Sequence, residues 1–195
     1  SNMTGGLKAG FTETVAETFG ENKLTIVYHC KPGRGIRFWD KDYMFPENYR
    51  IPGKGVPSEG SKKQHGEEYG PLIEKVKEAA KGNSYDTVTF IWMQGESDAN
   101  NRLSEVYKES FLKLVGQLRK DLKREDLYCV IGRINDYARS RPDNVHWKRV
   151  RETQVKLGKT PGNAWIDTDD LNGGDAKNPD GDIHFSKDGA AKLGQ

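Results

Sequence analysis

The sequence predicts an α/β fold built on a parallel sheet, and three observations carry the prediction. Four short runs are rich in β-branched and aromatic residues: LTIVYH at 24–29, TVTFIWM at 87–93, LYCVIGRI at 127–134 and AWIDT at 164–168. Each is continuously apolar, as expected of strands covered on both faces, whereas strands with one wet face alternate. Helical periodicity fills the stretches between them, and strands alternating with helices give a parallel sheet wrapped on both sides.

Taken in chain order, Phe11, Val15 and Phe19 stand at i, i+4 and i+8 and predict a helix ahead of the first run. Leu72, Ile73, Val76, Ala79 and Ala80 mark a second helix, with Pro71 suited to its first turn. Leu103, Val106, Phe111, Leu114, Val115, Leu118 and Leu122 form the longest amphipathic stripe, and a weaker one runs from Trp147 through Val150 to Leu157. Residues 31–68 show no period and are loaded with Gly, Pro, Lys and aromatics. A loop that long in a compact domain is usually functional or disordered. After a strand of a parallel sheet it leaves at the carboxyl edge, where such folds bind ligands. Residues 1–195 are expected to form one domain, without internal repeats.

Composition excludes some functions. Net charge is +2 with the basic residues dispersed, which argues against non-specific nucleic-acid binding. No apolar stretch approaches the ~20 residues that span a bilayer, so neither nucleic acid nor membrane is an expected partner. Cys30 and Cys129 each sit in or beside an apolar run and are expected to be buried free thiols. They leave the compartment open.

The chemistry-bearing residues fall in two segments. FIWMQGESDANN at 90–101 contains G-x-S-x-A around Ser97. A nucleophile elbow needs a helix that starts at once after the strand. Here five residues, Asp98 to Arg102, precede the stripe at Leu103, so a turn or cap role is the expectation for Ser97. Gln94 and Glu96 follow a buried strand at the ligand edge; the Gln94 amide can donate to an oxyanion or simply tie two loops together. In NPDGDIHFSKDG, Asp180 and Asp182 precede His184, and a carboxylate beside a histidine fixes its tautomer and stabilises the imidazolium. His29, His65 and His146 are expected to serve packing or surface roles. No H-E-x-x-H, C-x-x-C or calcium-loop spacing is present, so no metal or other cofactor is expected.

Several segments together resemble the SGNH hydrolases, in the branch of sialate O-acetylesterases and acetylxylan esterases. SNMTGG (1–6) is similar to the end of that branch's G-Q-S-N-M block, and CKPGRGIRFW (30–39) to its second block. WMQGESDA (92–99) resembles the W-x-Q-G-E-x-D-A block, the most specific of the set. VIGRIND (130–136), WIDTDDLN (165–172) and DIHFSKDGAAKLG (182–194) follow in order and spacing. The resemblance implies a three-layer α/β/α flavodoxin-like SGNH fold with a parallel sheet, whose first strand is missing from this chain. It implies Ser1 as nucleophile, His184 as general base, and the Gly33 N–H with the Gln94 amide as oxyanion donors. Glu96 would then hold Gln94 or a neighbouring loop. Many relatives carry Asp three residues before the histidine, where this chain has Gly181; Asp182 is the expected acid, with Asp180 as fallback. Ser1-Asn2 ahead of Met3 can also be read as a tag remnant.

The implied activity is hydrolysis of O-acetyl or other O-acyl esters on carbohydrates such as acetylated sialic acid or xylan. A secreted or periplasmic setting fits that resemblance. Arg34, Arg37, Trp39 and Tyr43 in the long loop, with Arg133, are the expected substrate contacts, because aromatics offer faces to sugar rings and arginines grip carboxylates. Two alternatives stand beside this reading: a non-catalytic carbohydrate-binding domain of the same fold, and a hydrolase using Ser97.

Overall fold

The computed structural model describes residues 3–20, 24–137, 144–173 and 181–195. In chain order it contains α1 (Met3–Phe19), a 3-10 helix (Ile36–Phe38), α2 (Glu59–Lys63), α3 (Tyr69–Ala80), β1 (Thr89–Met93) and α4 (Glu96–Asn100). α5 (Ser104–Leu122), β2 (Tyr128–Gly132), α6 (Val145–Gly158), β3 (Asn163–Ile166) and α7 (Lys187–Gly194) follow. Two compact units divide these elements. Ser1–Ile26, Asn135–Asn144 and Asp167–Gln195 form one; Val27–Ile134 and Val145–Ile166 form the other.

The second unit carries the sheet. Its strands lie in the order β1-β2-β3, all parallel, with Thr89 opposite Tyr128 and Cys129 opposite Asn163. This is the mixed α/β, SGNH-like class that the sequence predicts. Strand periodicity points Trp92, Cys129 and Ile131 to one face, and all three are buried. The stripe of α5 supplies Tyr107, Phe111, Leu114 and Leu118 to that core, and α6 adds Trp147, Val150 and Leu157. Each such apolar side chain contributes about 1.5–3 kcal/mol on burial. Coverage on both faces is met only on this one, since Ile91, Tyr128 and Ile166 on the alternate positions stay exposed.

Three further expectations need correction. Residues 24–29 join no ladder of the sheet. An apolar run becomes a strand only when a neighbour completes its hydrogen bonds, and the sheet does not extend to it. The long loop 31–68 is less irregular than its composition suggests, for it holds the 3-10 helix and α2, the latter capped by Ser58 Oγ accepting from the Ser61 N–H. Cys30 is exposed; Cys129 is buried, and burial pushes its thiol up to about 11.

In the first unit α1 packs on α7 so closely that a Cβ at Gly10 would meet the Ala191 carbonyl oxygen at 3.0 Å. Its buried side chains are largely polar: Asn135, Asp136, Thr168 and Asn172. Ser186 caps α7 by accepting from the Gly189 N–H at 2.9 Å.

Candidate active site

In the second unit the site begins where β1 ends. The Gln94 carbonyl accepts from the Tyr107 hydroxyl and from Gln154 Nε2, each at 2.7 Å. Gln154 also donates to Tyr107 Oη and accepts from the Ile134 N–H, and Trp92 Nε1 donates to the same tyrosine oxygen. A buried network of this kind fixes one geometry, since any broken member leaves an unpaired polar group in a dry core. Gly95 follows with φ +151°, and a Cβ there would meet Val150 Cγ1 at 2.8 Å. Only glycine turns the chain there at such close quarters.

α4 therefore starts at Glu96, two residues after the strand, so Asp98, Ala99 and Asn100 are helical, contrary to the expectation that non-helical residues intervene. Ser97 lies in its first turn. Its hydroxyl donates to the Gly33 carbonyl at 3.3 Å and lies 3.4 Å from Asn101 Nδ2, neither of them a base. Asp98 is fully buried. Its Oδ2 accepts from Gln94 Nε2 and from the Ile36 N–H at 2.9 Å. Burial pushes this carboxyl up to about 6, against the two hydrogen bonds that pull it down. The second Gln94 amide hydrogen points to the Arg34 carbonyl at 3.2 Å. Gln94 thus ties β1 to the loop that carries Gly33, and the carboxylate holding its amide is that of Asp98. Asp98 stands within the WMQGESDA block, but nothing in the sequence marks it as the partner of Gln94.

The proposed substrate contacts separate into two groups. Trp39 and Tyr43 are corrections: at 5% and 4% exposure they offer no face to a sugar. Trp39 packs edge-on against His29 and Trp92, and Tyr43 packs against Phe45 and His65. Ile36 and Phe38 of the same loop are buried as well. Arg34 pairs with Glu67 at 3.0 Å, and Arg37 lies over the Phe38 ring while donating to the Ser61 carbonyl. Arg133 lies over Trp165 and lines a cavity of about 380 Å³ with Lys148 and Arg151 of α6. His29 bonds Glu68, and His146 bonds Ser104, as packing histidines do.

In the first unit Asp182 and His184 come together. Asp182 Oδ1 lies 3.0 Å from His184 Nδ1 and also accepts the His184 backbone N–H at 2.8 Å. These contacts hold the Asp182 carboxyl below its ordinary range. An ionised carboxylate only accepts, so the ring proton sits on Nδ1 and leaves the Nε2 lone pair as the base. Both side chains are exposed, 65% for the histidine and 68% for the aspartate. The loop is anchored from below. Asn135 Nδ2 donates to the carbonyls of Asp182 and Ile183, and the Asp182 N–H donates to the Asn172 carbonyl. Gly181, at φ +61°, passes so near Asn172 that a Cβ would overlap its amide at 2.5 Å. Ser1 and Asp180 lie outside the described residues.

The parallel three-stranded sheet with its packed helices is of the SGNH-like α/β/α class. More closely, the chain belongs to the carbohydrate esterases described as sialic acid-specific acetylesterase: the model of that family matches residues 2–195. No curated protein and no solved structure matches the chain.

Proposed function

We propose that the chain hydrolyses O-acetyl esters on a carbohydrate, acetylated sialic acid first and acetylated xylan second, through a Ser1–His184–Asp182 triad. The Asp182–His184 hydrogen bond at 3.0 Å carries this reading, because it leaves Nε2 ready to take a proton. His184 Nε2 removes the Ser1 hydroxyl proton as the oxygen attacks the acetyl carbonyl, and a tetrahedral oxyanion forms. The Gly33 N–H and the Gln94 amide donate to that oxyanion. The amide hydrogen now on the Arg34 carbonyl at 3.2 Å is the one that serves, since a bond to an anion outcompetes a long neutral one. Collapse expels the sugar alcohol, which receives the proton from His184. Water, deprotonated by the same nitrogen, then releases acetate and restores Ser1. The residues proposed for these steps need no metal or other cofactor.

Acetate release from O-acetylated sialic acid, acetylated xylan and p-nitrophenyl acetate tests the proposal. Ser1→Ala and His184→Ala are each expected to lower kcat by about 10³-fold or more. Sugar binding without Ser1-dependent turnover would instead identify a binding domain. Loss of turnover in folded Ser97→Ala, with Ser1→Ala still active, would move the nucleophile to α4.

A further inference from the structure

The loop bearing Gly33 and the side chain of Gln94 are distant in sequence, yet an oxyanion needs its donors fixed in advance and aimed together. α4 is what joins them. Ser97 Oγ donates to the Gly33 carbonyl, Gln94 Nε2 to the Arg34 carbonyl, and the Ile36 N–H to Asp98 Oδ2. Gly35 lies directly over the carboxylate; a Cβ there would meet Asp98 Oδ1 at 3.2 Å and Oδ2 at 3.4 Å. One oxygen of a fully buried Asp98 thus takes both the Gln94 amide and the backbone of the glycine loop.

We infer that Asp98 is the positioning residue of the acetyl-oxyanion site, holding the Gln94 amide and the Gly33 loop in one register. The inference rests on the proposal that these two groups receive the oxyanion. Asp98 is fully buried and acts through its two donors. A buried carboxylate suits this task because it accepts strongly and a dry pocket allows it little freedom.

The measurement is steady-state hydrolysis of p-nitrophenyl acetate by Asp98→Ala, Asp98→Asn, Gln94→Ala and the double variant Gln94→Ala/Asp98→Ala, with folding checked by circular dichroism. Asp98→Ala is expected to lower kcat by about 10²-fold, the scale of a lost oxyanion donor, with KM within about two-fold. Asp98→Asn keeps a carbonyl oxygen where Oδ2 stands and is expected to recover part of that loss. The double variant is expected to fall well short of the product of the two single losses, because the residues act as one unit. Should Asp98→Ala fail to fold, Gly35→Ala serves, since its methyl group crowds the carboxylate without removing it. A several-fold loss of kcat is expected there, and it should shrink in the Gln94→Ala background. Full kcat in folded Asp98→Ala or, where that variant does not fold, in Gly35→Ala would overturn the inference, provided Gln94→Ala is impaired; so would losses that multiply independently. Full kcat in Gln94→Ala would overturn the oxyanion proposal itself, and the inference with it.

Discussion

Asp98 sits where a carboxyl group is costly to ionise, and that cost has a sign in pH. Its folded pKa of about 6 lies above the ordinary 3.8, so folding favours the protonated form. The associated stability is complete below pH 3.8 and is lost as pH rises through about 6, a change on the order of 3 kcal/mol. Asp98→Asn does not titrate. Urea denaturation of both proteins from pH 4 to pH 7.5 should therefore show wild type losing ground to the variant by roughly that amount. A difference that stays flat across the range would show that Asp98 ionises as freely in the folded protein as in the unfolded chain. This residue also marks where the sequence was least legible. The Asp182–His184 pair stood out because its partners are two positions apart, and their contact follows from local chain geometry. The role of Asp98 depends on Ile36, 62 residues away, and only the folded chain brings them together.

Among the elements, periodicity was a faithful guide wherever it had room to show. α3, α5 and α6 appear where their apolar stripes place them, because a stripe of several turns has one way to bury itself. α4 has five residues and α7 eight, too few to display a period. Residues 24–29 fail for the opposite reason: a run can be strand-like in composition and still lack a neighbour to pair with. The α7 cap yields a direct expectation. Ser186→Ala removes the acceptor for the Gly189 N–H, at a cost of about 1 kcal/mol. Hydrogen exchange of the α7 amides should accelerate by about five-fold, while α5 is unchanged. An unaltered α7 would mean that its stability comes from packing on α1 alone.

Across the whole molecule, stability is distributed unevenly. Among the described residues, the buried hydrophobic side chains belong to the sheet-bearing unit, with Ala190 the exception. The unit that holds His184 is built instead on hydrogen-bonded Asn135, Asp136, Thr168 and Asn172. Apolar burial is the dominant favourable contribution to folding, so this unit should open at lower free energy than the other. Limited proteolysis under native conditions is expected to cut within Met3–Phe19 or residues 167–195 well before α5 or α6. First cleavage within Ser104–Leu122 would contradict that ranking.

The bond between Asp182 and His184 matters most in that setting. One carboxylate oxygen grips both the ring and the main chain of a residue two places on, so carboxylate and imidazole form a cassette that carries its own alignment. When the loop shifts, the two travel together. Opening of the weaker unit therefore leaves unchanged which ring nitrogen carries the proton for as long as that bond is kept.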